Sequence, residues 1–539
     1  MNIKNLFTFF TSASNKEKIT HILYNLLLGG LAIWVIFAHT YKLDNIPSGL
    51  FFDESTIGID ASNVSQTGFE KYGGEFQIFF QTEADSDSPI LVYATALMFR
   101  LFSISEYNLR LVSAVFFIAA WLLAFGLVTK LFNGNRVIGI YLIIAFGFLP
   151  QFFTISRLAF EVIPQLTFTV AAIWGIWSTF HKEDLSHKIP VSAIFAGLMI
   201  GISTYTYSTA NMLSTLMMVS IWVVYGNKLN LKKLFHLSAA YLIILIPYVI
   251  FNIIHPNALT SRFRNISFIF EPISLADKIK ILFSNYIAYW SPSFLFLYGD
   301  TNLRHSTGIS GSITITAGIL FAVGLIAIVI SIIKSWDRFK LFLLANLLFS
   351  PAAAALTSEG TPHTVRSLLL GCYIVLISCY GLTYLFNIIN SWKRASLIAI
   401  IFVLLIYETI SYQLDYFVHY PARSVDAFGS YDLKGALEFA IEENPKEIIV
   451  LDNFSGGLEN LTFYKYVVHN TTDIPILTAG EFAPESGICI VYHRLSGDEE
   501  ELDKSSIPYT EFRSRNRPDL WEAQLGAKPF SGMIKVRCY

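Results

Sequence analysis

Two neighbouring carboxylates, Asp53 and Glu54, stand in the run Phe51-Phe52-Asp53-Glu54 just beyond the first apolar segment of the chain. A carboxylate pair beside a membrane is costly to keep and marks a functional candidate. Such a group can take the proton of a hydroxyl as that hydroxyl attacks, which is general-base chemistry. Arginines follow at Arg100, Arg110, Arg157, Arg262, Arg264, Arg304 and Arg366, with His305 directly after Arg304 and His363 one helical turn before Arg366. A guanidinium fork grips phosphate in bidentate fashion, whereas a lysine ammonium is a hydrated point charge. A base and a set of anion-binding groups are therefore the chemistry that the fold has to place.

The elements that must do this lie in a membrane. Of the 539 residues 54% are hydrophobic and only 14% charged, and the mean hydropathy is +0.52. That balance belongs to a polytopic α-helical membrane protein. A formal net charge of −2 offers nucleic acid no bulk attraction. Apolar runs long enough to cross a bilayer cover 21–38, 110–129, 137–155, 158–180, 189–207, 209–225, 234–254, 312–333, 339–356, 366–389 and 395–412, about eleven spans. The first follows a polar stretch, Met1 to Thr20, and lacks a small-residue cleavage site, so it reads as retained.

The run 89–102 is too short to cross comfortably. Laid along the interface, it leaves every short lysine-rich loop on one side: Lys4/Lys16/Lys18, Lys130/Arg136, Lys182/Lys188, Lys228/Lys232/Lys233, Lys334/Arg338/Lys340 and Lys393/Arg394. The positive-inside rule then makes this a multi-pass protein of the cell membrane, with a cytoplasmic N-terminus and the arginine-bearing face outside. The expected organisation is a transmembrane domain over 1–412 and an extracytoplasmic α/β domain over 413–539. The first domain carries long outer loops at 39–109, with the interfacial helix, and at 255–311, with an amphipathic stretch at 273–289. In the second, Glu447-Ile448-Ile449-Val450-Leu451 and Ile488-Cys489-Ile490-Val491-Tyr492 read as buried strands and Leu458 to Val468 as a helix. Cys489 and Cys538 sit in strand-like segments there, which makes a disulfide plausible in an oxidising space. Cys372 and Cys379 share one apolar span and pack as small hydrophobes.

Other candidates have competing readings. Arg157 and Glu161 are spaced i, i+4, which suits a helix-face ion pair as well as a donor site, and the ion pair is favoured. Tyr205 and Tyr207 fit an interfacial aromatic belt, or stacking on a sugar. His363 reads as a loop histidine or, with Arg366, as part of a phosphate site. Asp85-Ser86-Asp87 spells a spacing that can hold a divalent cation. Short acidic motifs are common in solvated loops, however, so cation use there is the minor reading.

The order of signals resembles the bacterial relatives of protein O-mannosyltransferases and of the lipid A aminoarabinose transferase, within the type C glycosyltransferase fold. The match runs from Ile46-Pro47-Ser48-Gly49-Leu50-Phe51-Phe52-Asp53-Glu54 through Asn108-Leu109-Arg110-Leu111, Ile155-Ser156-Arg157-Leu158 and Tyr205-Thr206-Tyr207-Ser208-Thr209-Ala210. It continues in Gly299-Asp300-Thr301-Asn302-Leu303-Arg304-His305 and closes with Ala355-Leu356-Thr357-Ser358-Glu359-Gly360-Thr361-Pro362-His363-Thr364-Val365-Arg366-Ser367, so that it covers most of residues 40–390. Where the family often has His-Pro-Pro-Leu before the interfacial helix, this chain has Ser86-Asp87-Ser88-Pro89-Ile90.

The resemblance implies a polyprenyl-phosphate-linked sugar as donor and an acceptor hydroxyl on a lipid, glycan or protein. It also implies inversion at the anomeric carbon. Asp53 is then the base and Glu54 orients either the acceptor or Asp53. The donor phosphate falls to Arg110, Arg157, Arg304, His305, His363 and Arg366, and Tyr205, Tyr207, Asp300 and Glu161 become sugar or acceptor contacts. No cofactor is required, since the arginines supply the countercharge. The rivals are a lipid-linked-sugar transporter or flippase and a glycan polymerase. Transporters place polar groups near mid-bilayer on broken helices, often in paired halves, and no internal repeat is visible here.

Overall fold

The computed structural model describes residues 13–70, 73–81, 86–181, 189–428, 431–451, 458–469, 474–479, 484–493, 502–513 and 534–539. Among them, nine helices are long and apolar enough to cross a membrane, or ten when one bent pair counts as a single span. In chain order the helices used below are α1 (Ala13–Thr40), α2 (Phe52–Thr67), α3 (Pro89–Leu101), α4 (Glu106–Leu131), α5 (Arg136–Gly147) and α6 (Pro150–Ser156). There follow α7 (Val162–His181), α8 (Val191–Ser203), α9 (Ser208–Tyr225), α10 (Leu231–Ile254), α11 (Ser261–Ile266) and α12 (Leu275–Ala288). The last are α13 (Ile315–Ser335), α14 (Arg338–Phe349), α15 (Ala352–Ala355), α16 (Leu368–Ile388), α17 (Ser391–Leu414), α18 (Tyr431–Glu442) and α19 (Leu458–His469).

Two of the eleven expected spans differ, each for a local reason. The run 137–155 splits into α5 and α6, bent by 53°. Pro150 opens α6, cannot donate to the preceding turn, and holds Leu149 extended at ψ 125°. The run 189–207 shortens to the 13 residues of α8, about 20 Å of helix. The chain then turns through Thr204–Tyr207, where the Thr206 hydroxyl donates to the Ser203 carbonyl at 2.6 Å and so competes with the helical ladder. A third difference is an extension. The last span runs past residue 412 through a π turn at Asp415–His419 to Arg423.

Helix ends follow capping chemistry. Ser105 caps α4 by accepting from Asn108 N–H, and Glu106 occupies its first turn, where the helix dipole favours an anion. Asn135, Ser274, Thr314 and Asp337 cap α5, α12, α13 and α14 in the same way. In the bundle α13 and α16 meet backbone to backbone. A Cβ on Gly324 would stand 2.1 Å from the Ile377 carbonyl oxygen, and one on Gly381 would stand 1.9 Å from that of Leu320. Glycine on both sides makes this approach possible.

Beyond the bundle, among the described residues, five strands form one mixed sheet in the order β4-β3-β5-β7-β6 (β3 Glu447–Leu451, β4 Ile476–Ala479, β5 Ile488–His493, β6 Thr510–Arg513, β7 Ile534–Cys538). A two-stranded ribbon (β1 Phe80–Gln81, β2 Ser86–Asp87) precedes it in the chain. β3 pairs parallel with β4 and β5, while β7 pairs antiparallel with β5 and β6. Cys489 and Cys538 are opposite each other in that register and are joined by a disulfide. The expected strands 447–451 and 488–492 and the helix at 458–468 therefore all form. The core of the sheet is continuous with the first long loop: Val450, Val491, Val536, Leu461 and Phe463 belong to one buried apolar cluster with Leu50, Ile57, Leu91, Phe99 and Leu109.

Candidate active site

The site is built at one end of the bundle from three loops and the start of α2. Residues 41–50 lead into that helix. They are held by two buried arginines that come from α4 and from the turn after α6. Arg110 uses all five of its N–H donors inside the protein. It gives Nε to Glu54 at 2.8 Å and Nη2 to Glu54 at 2.9 Å and to Gly49 O at 2.5 Å, while Nη1 reaches Leu43 O at 2.9 Å and Pro47 O at 3.0 Å. Arg157 donates to the carbonyls of Ala38, Tyr41 and Ile46 at 2.5, 2.7 and 3.0 Å and lies against the rings of Phe153, Tyr416 and Phe417. Both arginines are fully buried. Neither is where a donor phosphate was expected to find it. Their forks are matched to converging backbone carbonyls.

Glu54 is drawn inward with them. It is 0% exposed and also accepts from the backbone N–H groups of Ala159 at 2.9 Å and Phe51 at 3.2 Å. The expected role of orienting an acceptor directly does not fit this enclosed position. Consecutive residues on a helix point about 100° apart, so its neighbour Asp53 leaves the core. Asp53 is half-buried and lies in the electrostatic reach of Arg304 and Tyr207.

The buried side of α2 is clamped by α19. Ser55 donates to the Asn460 side chain at 2.5 Å, and Tyr466 OH donates to that of Asn63 at 2.6 Å. The Phe463 ring sits on Gly58 so closely that a Cβ there would fall 2.5 Å from it. At the start of α4, Glu106 accepts from Tyr464 OH at 2.5 Å and pairs with Lys434.

Facing Asp53 is a cluster from loops 299–313 and 357–367. Asp300 is its hub. Oδ1 accepts from Asn302 N–H at 2.9 Å, while Oδ2 accepts from Thr364 N–H at 2.8 Å and lies 3.0 Å from His305 Nδ1 and 4.0 Å from His363 Nδ1. The two imidazoles stand 4.4 Å apart, centroid to centroid. Gly299 makes the turn at φ +68°, where an added Cβ would also meet Ser306 Oγ at 2.9 Å. The extended last span braces this loop: Tyr420 OH donates to Leu303 O at 2.5 Å and Arg423 Nε donates to Thr307 O at 2.8 Å.

Arg304 lays its guanidinium over the Phe51 ring at 3.6 Å and keeps a buried Nε without a hydrogen bond. Burial pushes its pKa down, and Asp53, Asp300 and Glu359 oppose that shift. Arg366 is largely buried. Its Nη1 donates to Thr357 Oγ1 and Glu359 O, each at 2.9 Å, and its Nη2 stands 3.5 Å from the exposed Glu359 carboxylate. His363 is pushed well below the ordinary imidazole range, first by burial and then by the neighbouring His305, Arg366, Arg262 and Arg304. Its backbone N–H donates to Tyr289 OH at 3.3 Å.

The remaining expected residues divide. Tyr207 is half-buried and lies in the field of Arg366, Arg262, Glu161 and Asp53. Tyr205 is not presented to that cluster; it is buried, stacks on Phe79, and bridges α10 by donating to Ile244 O and accepting from Tyr248 N–H. The favoured i, i+4 pair of Arg157 and Glu161 does not form. The helix breaks between Ser156 and Val162, so Arg157 turns inward while Glu161 accepts from Ser88 N–H. Asp87 is partly buried in the short ribbon, and Asp85 lies outside the described residues. Arg262 on α11 and Glu359 belong to the cluster's field but were not among the expected site residues. The sequence did place Arg262 in the set of outer-face arginines, through Arg262-Phe263-Arg264 on the second long loop, and Glu359 in the closing motif, without giving either a role at the site.

Residues 86–251 match the family model described as dolichyl-phosphate-mannose-protein mannosyltransferase. That span runs from β2 into α10 and reaches neither Asp53 nor Arg304. No curated protein sequence matches the chain. Among solved structures, ArnT from Cupriavidus metallidurans in the apo state superimposes with a TM-score of 0.58 at 10% identity, over 96% of this chain and 98% of that one. ArnT from the same organism bound to undecaprenyl phosphate gives 0.57 at 10% identity, over 95% and 97%. The Archaeoglobus fulgidus oligosaccharyltransferase in the apo form gives 0.46 at 15% identity, over 84% and 64%. Residues 86–251 therefore resemble that family, and the chain is a multi-pass membrane protein that shares the ArnT fold over nearly its whole length.

Proposed function

We propose that the chain is an inverting transferase that moves a sugar from a polyprenyl-phosphate donor to an acceptor hydroxyl on the extracytoplasmic face. One observation carries this reading. Asp53 is half-buried in the electrostatic reach of Arg304, whose loop packs with that of Arg366 through Asp300, His305 and His363, while its neighbour Glu54 is sealed inside. The positive-inside pattern supports the orientation. The donor class is supported by the shared fold with a relative that binds undecaprenyl phosphate.

The chemistry follows from the groups. The acceptor oxygen attacks the anomeric carbon as the bond from that carbon to the phosphate oxygen breaks, and Asp53 takes the acceptor's proton. The departing oxygen keeps the bonding electrons as polyprenyl phosphate. Phosphate monoesters lose their second proton near pH 6, so this leaving group needs no acid. It needs positive charge that is fixed in advance, which Arg304 and Arg366 supply with the two imidazoles as donors. Tyr207 and Glu161 border the same space and suit contacts to sugar or acceptor. Glu54, with Arg110 and Arg157, positions the segment that carries Asp53.

The test is donor consumption by purified protein in detergent. Asp53→Asn is expected to lower turnover by about 10²–10⁴-fold, the usual share of a general base, with donor binding retained. Near-normal transfer by that variant would remove Asp53 as the base.

A further inference from the structure

We infer that α12 is seated in the membrane interface and that Asn285, on its inner side, positions Arg366, so that the bilayer bears on the fork offered to the donor phosphate. That last clause rests on the glycosyl-transfer reading; the seating of the helix does not. Fourteen residues of helix span about 21 Å, too short to cross a hydrocarbon core of about 30 Å. At about 100° per residue the sequence of α12 divides into three sectors. Leu275, Ile279, Phe283 and Ile287 recur at every fourth position and are between 48% and 74% exposed among the described residues. Asp277, Lys280 and Ser284 form an exposed polar stripe beside them. Leu282 and Tyr286 pack on the bundle. A helix on a surface bathed by water needs only a packed sector and a polar one. The apolar third sector is what a helix lying at the boundary of headgroups and acyl chains presents to lipid.

The inner contacts set α12 at that depth. Asn285 and Tyr286 reach the carbonyls of Ala355 and Leu348, in the last two turns of the span Arg338–Ala355. The helix therefore lies where that span leaves the membrane. The same side of α12 holds the loop of Arg366 at both ends. Asn285 Nδ2 donates to Ala355 O at 3.2 Å and to Thr357 O at 3.0 Å. Tyr289, four residues on, accepts from His363 N–H. The Thr357 hydroxyl in turn accepts from Arg366 Nη1 at 2.9 Å and donates to Ala354 O at 2.8 Å. Losing Asn285 releases Thr357, and with it one arm of the arginine.

The test uses the full-length protein in phosphatidylcholine nanodiscs. Of its four cysteines, Cys372 and Cys379 are buried and Cys489 and Cys538 are paired, so a cysteine placed on α12 takes a fluorescent label. A label at Phe283→Cys is expected to be quenched by doxyl groups carried on the lipid and to resist iodide, and one at Ser284→Cys to show the reverse. Equal iodide quenching at the two positions overturns the seating. Asn285→Ala should speed amide hydrogen exchange across 355–366 and lower kcat/KM by about 10-fold, the worth of a hydrogen bond to a charged group. Phe283→Lys should act in the same direction. Unchanged exchange in both overturns the link from helix to loop. In an Arg366→Ala background Asn285→Ala should cost nothing further; additive losses mean a merely structural role and overturn the positioning. If Asn285→Ala does not fold, Asn285→Asp, which keeps the size and loses the donor, carries the comparison. Quenching and exchange do not depend on catalysis, so their outcome is separate from that of Asp53→Asn, which tests the transfer reading.

Discussion

The lattice around Glu54 and the cluster around Asp53 use the same residue types, carboxylate and arginine, to opposite ends. In the first, Arg110 has every donor taken up by protein acceptors, and nothing remains for a ligand. In the second, Arg304 lies flat on an aromatic ring with its Nε unpaired, and Arg366 holds one fork arm only loosely to an exposed glutamate. An arginine whose fork is saturated by protein acceptors has nothing left for a ligand, and one with spare fork donors is what the proposed phosphate contact requires. The buried lattice has its own task, because the carbonyls it collects belong to the segment that delivers Asp53.

The contrast breaks first at Arg110. Removing one partner of a buried pair costs about 3–5 kcal/mol, so Arg110→Ala should show a large fall in the thermal midpoint measured in detergent. If its midpoint matches the wild type while donor affinity collapses, Arg110 belongs to the cluster after all. Next is the clamp on α2. Phe463 is fully buried against Gly58, and Phe463→Ala should cost about 3 kcal/mol and lower turnover more than donor affinity. An unchanged turnover in folded protein would mean that α2 needs no support from α19.

Arg304→Ala is expected to invert the Arg110 result. A donor aimed at developing charge accounts for about 100-fold in rate, or about 2.7 kcal/mol, so kcat/KM should fall by that factor while the midpoint hardly moves. The tyrosines give the smallest effect. Tyr205→Phe loses two hydrogen bonds and should cost about 1–2 kcal/mol of stability without changing KM. Tyr207→Phe should raise KM and leave the midpoint alone. If the two swap behaviours, the division between scaffold and site runs elsewhere.

How much of this was legible beforehand depends on the kind of feature. The apolar runs announced every span, because burial in lipid is a property of composition over about 20 residues. Pro150 even carried the signal for the break in α5–α6, though the length of the run 137–155 masked it. In the small domain the strands at 447–451 and 488–492 were readable from apolar runs rich in β-branched residues and the segment around Cys538 looked strand-like, whereas β4 and β6 were not anticipated. The arginines could be collected but not sorted. Arg110 opens an apolar helix and Arg304 stands in a polar loop, but neither context names a partner, and the carbonyls that saturate Arg110 come from residues more than 60 positions away. The i, i+4 spacing of Arg157 and Glu161 misled because the pair straddles a helix break. Glu54 was separated from Asp53 only by which face of α2 meets Arg110 and the backbone of Ala159.

By itself the sequence determined the membrane class, the spans, and the set of carboxylates, arginines and histidines from which a site had to be made. Hydropathy and residue chemistry act locally, so they can be read in one dimension. The division of that set was decided by the tertiary structure. Whether a charged group is scaffold or site depends on which distant carbonyls, rings and ligands converge on it, and convergence exists only once the chain is folded.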